Sequence, residues 1–120
     1  RVLNLAVLAA IVAIYSNQKS YSAAVFDQQA KLTGFQRDLL YCIAGMDEAY
    51  GLGIKSELEQ YGVTEINHGR LYPNLDTLID KGYLTKSSLD DRTNEYELTD
   101  EGWSLLDERY EWEAEKLSRT

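Results

Sequence analysis

The stretch from residue 67 to residue 84 carries side chains that can read DNA bases, at the spacing of a short helix. An imidazole, a guanidinium and two carboxamides occur within eight positions. In the major groove a guanidinium pairs with the acceptors of guanine, and a carboxamide pairs with adenine. We therefore predict base-reading contacts by Asn67, His68, Arg70 and Asn74. The alternative is that all four are ordinary solvated residues of a surface helix.

A polar cluster further along the chain can make a second contact with DNA. Residues 85–98 change to strand-like alternation around Tyr96 and Leu98, so a hairpin is predicted. A basic side chain at the tip of such a hairpin can enter the minor groove. The predicted tip contacts are Arg92, Thr93 and Asn94. The neighbouring Asp90 and Asp91 are acidic and oppose a tight contact.

Three lysines are candidates for contacts with DNA phosphates, which need positive charge and carry no sequence information. They are Lys55, Lys81 and Lys86. Exposed lysines are common on any protein surface, so plain surface residues remain the alternative.

The chain as a whole is acidic, which opposes attraction to phosphate at low salt. Its formal net charge is -8, and residues 61–120 hold 7 basic and 14 acidic side chains. At molar ionic strength the Debye length falls to about 3 Å, so a basic patch loses its long-range attraction. An acidic shell keeps a protein soluble under such conditions. The charge balance therefore fits DNA binding at high salt.

Three amphipathic helices are predicted before the hairpin. The first is capped by Thr33, the second runs from residue 51 to a stop at Gly62, and the third ends at Gly82. The inward-facing residues, at helical spacing, are Phe35, Leu39, Leu40, Ile43, Met46, Ile54, Leu58, Tyr61, Leu71, Leu75, Leu78 and Ile79. On the third helix the predicted outer face consists of Arg70, Asn74, Thr77 and Lys81.

A last helix is predicted after the hairpin, with Thr99 or Asp100 as its cap. Its apolar face is formed by Trp103, Leu106, Tyr110 and Leu117. Glu111 and Glu115 lie one turn apart and can hold a cation. A solvated acidic face is favoured, because the whole segment is acidic.

The order helix, helix, helix, hairpin, helix is that of a winged helix-turn-helix, whose third helix enters the major groove. Two motifs are more specific: GRLYPNLDTLIDKGYL at residues 69–84 and RTNEYELTDEG at residues 92–102. The second motif closes with Tyr96, Leu98, Thr99 and Gly102. Over residues 33 to about 115 this pattern resembles the PadR family of transcriptional regulators, and the acidic balance suggests its haloarchaeal members.

The resemblance implies a fold that is mainly α with a small β-hairpin wing, a winged helix-turn-helix with additional N-terminal and C-terminal dimerisation helices. It also implies double-stranded DNA as the partner, a homodimer, and control of genes of the oxidative stress response. PadR proteins bind aromatic effectors between protomers, and the candidates for such a site are Trp103, Tyr110 and Trp112. Plain dimer packing of these rings is favoured. The alternative function is a winged helix that binds a protein partner or such an effector.

Residues 2–15 are apolar except for Asn4. These fourteen residues are too few to span a bilayer, which needs about 20, and suit a buried helix or a signal-peptide core. We favour the buried helix. A 120-residue chain has a modest core, so we expect a homodimer that pairs through this helix and the last one. The expected division is an N-terminal extension, residues 1–31, and a winged-helix domain, residues 32–120.

The single cysteine, Cys42, excludes an intrachain disulfide and the usual zinc sites, and it favours a cytoplasmic protein. Beside Leu39, Ile43 and Met46 it is predicted to be a buried small hydrophobe and not a peroxide sensor. The chain has one histidine, and its sequence offers neither a nucleophile paired with a base nor a Gly-rich phosphate loop. We therefore expect no enzyme, no cofactor and no metal site.

Overall fold

From residue 34 onward, helices and strands follow the predicted order, with one short strand added. The computed structural model describes residues 5, 7, 8 and 23–118. Its elements are α1 (Ala23–Ala30), α2 (Gly34–Ala44), β1 (Ala49–Tyr50), α3 (Gly51–Tyr61), α4 (His68–Asp80), β2 (Leu84–Ser88), β3 (Asn94–Leu98) and α5 (Asp100–Leu117). A mainly helical chain with a small antiparallel sheet confirms the predicted winged helix-turn-helix.

The prediction of a buried helix over residues 2–15 lies almost entirely outside the described residues. Within the described part of the chain, no helix is both long and apolar enough to cross a membrane.

The helices begin and end where the sequence supplies caps. Thr33 accepts a hydrogen bond from the Gln36 amide, and the Gln36 side chain accepts one from the Thr33 amide, so α2 begins with a reciprocal capping box. α3 is followed by Gly62, whose φ of 107° lies in the left-handed region that glycine enters without strain. The predicted cap of α2 and stop of α3 are confirmed.

The core is built from the apolar faces of α2 to α5 and the inner face of the sheet. The largest fully buried side chains are Leu39, Leu40, Ile54, Leu71, Leu75, Leu78 and Leu84. The predicted core positions on α4 are therefore correct, apart from Ile79, which is half-buried.

Two predictions for α5 are wrong. Leu117 is 71% exposed, because no apolar residue of α5 is buried beyond Leu106 and the last turns of this 18-residue helix extend past the core. Glu111, expected on a solvated face, is only 6% exposed.

The sheet has three strands in the order β1-β3-β2, all antiparallel. In the hairpin Leu84 lies opposite Leu98, and on the other side of β3 Ala49 lies opposite Tyr96. Strand β1 was not predicted, since two residues are too short for an alternating pattern. It joins the start of α3 to the wing.

The turn from the wing into α5 is held by close contacts around Thr99. Its hydroxyl accepts from the Gly102 amide at 3.0 Å and donates to the Gly82 carbonyl at 2.6 Å, and its own amide donates to the Tyr83 carbonyl at 3.1 Å. Gly102 is buried, and a Cβ there would collide with the Tyr83 carbonyl oxygen. These contacts explain why the closing motif needs a threonine and, three residues later, a glycine.

Candidate DNA-binding surface

The first turn of α4 is the most exposed part of the predicted reading helix. Asn67 is its N-cap, with a side-chain oxygen 2.9 Å from the Arg70 amide. Asn67, His68 and Gly69 are all exposed. The His68 ring lies edge-on to Tyr72, with ring centroids 5.4 Å apart. A ligand can therefore approach His68 directly, while Asn67 also stabilises the helix start.

The face of α4 that points directly away from the core differs from the predicted one. Opposite Leu71, Leu75 and Leu78 are four exposed residues, at positions set by 3.6 residues per turn. They are Gly69, Pro73, Asp76 and Asp80. The side chains on this face are small near the N-terminus of α4 and acidic toward its C-terminus.

Three residues of α4 that were predicted to face away from the core instead direct their side chains toward α2 and the segment before it. The predicted outer face is corrected accordingly. The Arg70 guanidinium lies 4.0 Å from the Phe35 ring centroid and donates to the Thr64 carbonyl at 3.0 Å. Asn74 is half-buried, and its side-chain oxygen accepts from Gln36 at 3.1 Å. The Lys81 ammonium donates to the Lys31 carbonyl at 3.1 Å. The flank that carries Arg70, Asn74 and Lys81 faces α2 and the segment before it, so only part of it is open to solvent.

The tip of the wing is a compact turn. Leu89 donates its amide to the Thr93 carbonyl at 2.9 Å, and an Asp90 carboxylate oxygen accepts from the Arg92 amide at 2.8 Å. This hydrogen bond lowers the pKa of Asp90. Asp90 thus closes the turn that presents the exposed Arg92, while Thr93 and Asn94 are half-buried.

Two of the three candidate phosphate lysines face carboxylates within the chain. Lys86 on β2 lies 3.9 Å from Asp76 on α4, and Lys55 lies 3.5 Å from Glu59. Both pairs are partly exposed, so each ion pair contributes little to stability. Lys86 lies beside the acidic face of α4, where it partly offsets the negative charge.

One protein family model matches the sequence of the chain. Residues 39–108, more than half of the chain, match the model of the transcriptional regulator PadR-like family. The chain belongs to the PadR-like family of transcriptional regulators. Family membership supports DNA binding and implies a non-enzymatic regulator.

Solved structures of the haloarchaeal regulator RosR are similar to the chain in sequence and in fold. RosR of H. salinarum, in crystals grown from NaBr, is 48% identical over 75% of this chain and 82% of that chain, with a TM-score of 0.70. A structure described as the complex of hsRosR-S1 is 50% identical over 72% of this chain and 77% of its own, with a TM-score of 0.68. The predicted resemblance to haloarchaeal members of the PadR-like family is confirmed.

More distant structures share the fold alone. BpsR of Bordetella bronchiseptica, whose DNA binding is described as regulated by 6-hydroxynicotinic acid, is 17% identical over 92% of this chain and 73% of its own, with a TM-score of 0.60. No curated protein sequence matches the chain.

Within the described chain, Trp112 is not brought together with Trp103 and Tyr110, the other two aromatic residues predicted to line an effector pocket. Trp112 lies nine positions after Trp103, which places it on the opposite side of α5. Its ring faces Arg109, at 4.7 Å, and Lys116, at 5.8 Å. Trp103 instead packs against the core, and Tyr110 is half-buried.

A cleft of about 570 Å³ opens between α2, α3 and α5. Its lining includes Arg37, Tyr41, Cys42, Tyr61 and Arg109, and none of the three predicted pocket aromatics. Burial raises the pKa of Tyr41 to about 12 and that of Cys42 to about 11.

Cys42 was predicted to be buried, but it is only half-buried. Its sulfur lies 3.8 Å from the Met46 sulfur. Among the described residues no group of three or more His, Cys, Asp or Glu side chains is arranged to hold a metal ion.

The polar contacts between α2 and α4 were not predicted from the sequence. Gln36 is the central residue of these contacts and is only 8% exposed. The sequence does identify Gln36 as a capping residue, because it follows Thr33 by three residues in a capping-box pattern. Nothing in that pattern, however, indicates that the other end of the glutamine reaches Asn74.

Proposed function

We propose that the chain is a sequence-specific DNA-binding regulator that acts as a homodimer on a pseudo-palindromic site at high salt. The observation that carries the proposal is the exposed first turn of α4, on a helix that packs beside the wing: Lys86 on β2 lies 3.9 Å from Asp76 on α4. A helix of this kind reads the major groove through its N-terminal residues, while the wing reaches the neighbouring groove.

The proposed contacts fall into two classes. His68 and Asn67 are exposed at the first turn and Arg70 lies beside them, so these side chains contact base edges. Arg92 at the wing tip and Lys86 on β2 contact phosphates or the minor groove and add affinity without sequence preference. Asn74 contributes indirectly, since its amide is used within the domain.

The dimer is proposed to form through residues 1–31 and α5. A symmetric dimer places its two reading helices about 34 Å apart, one turn of DNA, and its two-fold symmetry requires a site with the same symmetry. The resemblance to haloarchaeal members of the family supports control of genes of the oxidative stress response.

The test is selection of bound genomic fragments by the full chain at molar potassium chloride, followed by mobility-shift titrations. We expect an enriched motif with two inverted half-sites about one helical turn apart. His68→Ala should lose preference for the selected motif over scrambled DNA. Gln60→Ala, at an exposed position on α3, is the control and should keep it. Recovery of fragments without a shared motif would contradict the proposal.

A further inference from the structure

Gln36 uses both ends of its carboxamide to connect two helices. Its side-chain oxygen accepts from the Thr33 amide at 3.1 Å and completes the cap of α2. Its side-chain nitrogen donates to the Asn74 side-chain oxygen, also at 3.1 Å. Because the residue is only 8% exposed, water cannot readily replace either bond.

Asn74 connects Gln36 to the first turn of α4. Its side-chain nitrogen donates to the Arg70 carbonyl at 2.7 Å. Pro73 has no backbone N–H and removes one helical hydrogen bond from this turn, so the side-chain bond matters more here than in an ordinary helix. One continuous path of hydrogen bonds therefore leads from the α2 cap through Gln36 and Asn74 to the Arg70 backbone.

The Arg70 side chain is held by the same part of the structure. Phe35, next to Gln36 on α2, stacks on the guanidinium at 4.0 Å. The first turn of α2 thus fixes both the backbone and the side chain of Arg70.

We propose that Gln36 is a positioning residue for base reading: through Asn74 it holds the first turn of α4 at the orientation that the bases require. The inference rests on the proposed function. Gln36 lies behind the reading helix and acts on sequence preference without touching DNA. Base-edge hydrogen bonds are directional, so a small rotation of the first turn weakens specific contacts more than phosphate contacts.

The substitution Gln36→Glu separates the positioning role of Gln36 from its role in capping α2. A glutamate keeps the oxygen that accepts from Thr33 and is itself a standard capping-box residue. It has no N–H to give to Asn74. If the Asn74 amide turns round to donate to the glutamate, it loses its bond to the Arg70 carbonyl, so the path is broken in either arrangement.

The experiment measures three quantities for full-length wild type and variants at molar salt. These are the affinity for the selected motif, the affinity for scrambled DNA of equal length, and the unfolding temperature. Gln60→Glu adds the same charge at an exposed position of α3, outside the proposed dimer interface, and serves as the matched control. The readout is the ratio of the two affinities, in which the effect of net charge on DNA binding in general cancels.

We expect Gln36→Glu to lower the ratio at least about fivefold, the factor that one hydrogen bond is worth. Gln60→Glu should keep the wild-type ratio. Asn74→Asp keeps the acceptor for Gln36 and loses the donor to Arg70, and it should lower the ratio similarly. In an Asn74→Ala background Gln36→Glu should have little further effect, since the proposed path runs through Asn74.

A folded Gln36→Glu protein with a wild-type ratio and a lowered unfolding temperature would overturn the inference and leave Gln36 as a structural residue. If Gln36→Glu does not fold, Asn74→Asp decides: a wild-type ratio there overturns the inference as well. A wild-type protein that does not distinguish the motif from scrambled DNA would contradict the proposed function itself, and that outcome is separate from both.

Discussion

The Arg70 guanidinium carbon lies 4.0 Å from the centroid of the Phe35 ring. The side chain best suited to read guanine is therefore stacked inside its own domain, with a further hydrogen bond to the Thr64 carbonyl. Arg70 contributes to the fold as well as to the proposed DNA contact.

Arg70→Ala should lower both sequence preference and stability. Loss of a base contact removes about 1–3 kcal/mol of discrimination, and loss of the stack removes about 0.5–1 kcal/mol of unfolding free energy. Phe35→Leu removes the aromatic face and keeps Arg70, so it should reduce stability with a smaller effect on preference. Mobility-shift titrations and urea unfolding measure the two effects. An Arg70→Ala protein with unchanged preference would show that another residue reads the base.

Lys86→Ala should weaken binding to all DNA sequences alike. A phosphate contact carries no sequence information, and its loss should reduce the slope of log affinity against log salt by about 1. Asp76→Asn frees Lys86 from its carboxylate partner at 3.9 Å and should strengthen binding. Gln60→Glu, which lowers the net charge by the same one unit at an exposed position of α3, is the control and should leave affinity unchanged. A change of preferred motif in Lys86→Ala would place Lys86 among the base readers.

Gly102→Ala should lower the free energy of unfolding by about 1–3 kcal/mol, the usual cost of overpacking. The new methyl group would collide with the Tyr83 backbone carbonyl, which cannot move without shifting the strand. Gly34→Ala is the matched control, since it also lies in the first turn of a helix and its Cβ meets nothing within 4 Å. We expect that substitution to be neutral or stabilising by about 0.5–1 kcal/mol. Equal denaturation midpoints for the two variants would argue against the close contact.

Cys42 should react slowly with alkylating reagents near neutral pH. Burial and the Glu57 carboxylate raise its pKa to about 11, so the reactive thiolate is scarce at pH 8. Below that pKa the thiolate fraction grows about tenfold per pH unit, so the labelling rate of the native protein should keep rising up to about pH 11. In urea the rate should level off nearer pH 9, close to the ordinary pKa.

Cys42→Ser should lower thermal stability and leave any peroxide-dependent release of DNA intact. Its sulfur contacts Met46 and the Ile54 carbonyl, both at 3.8 Å, and a hydroxyl packs less well there. Rapid labelling of the native thiol, together with loss of a peroxide response in the serine variant, would instead identify Cys42 as a sensor.

Deletion of residues 1–31 should weaken or abolish dimerisation. The segment includes α1, which is joined to α5 by a 2.7 Å hydrogen bond from Gln29 to the Leu105 carbonyl. Light scattering gives the oligomeric state, and circular dichroism shows whether the shortened chain is folded. A folded, tightly dimeric product would remove the N-terminal segment from the proposed interface.

Helical periodicity was enough to predict the core of α4. Leu71, Leu75 and Leu78 recur at intervals of three and four residues, and all three are fully buried. The closing motif was also correct, because Thr99 and Gly102 make local contacts that depend on spacing alone.

The same periodicity could not predict the direction of Arg70 and Asn74. Residues away from the buried stripe of a helix face either solvent or a neighbouring helix, and the sequence of α4 does not contain the position of α2. Asn74, which was predicted to read bases, is therefore half-buried against Gln36. Strand β1 was missed for a related reason: two residues carry no alternating pattern, and their strand conformation depends on pairing with β3.

Pairing of Ala49 with Tyr96 and of Tyr50 with Glu95 joins the start of α3 to the second strand of the wing. This pairing ties the base of the wing to the helix-turn-helix and restricts the distance from the wing tip to the first turn of α4. A duplex whose adjacent grooves do not match that distance has to bend or change its twist to meet both. The energy of that deformation depends on the stiffness of the intervening base steps. Base pairs that no side chain reaches should therefore influence affinity, with flexible pyrimidine–purine steps favoured between the two contact points.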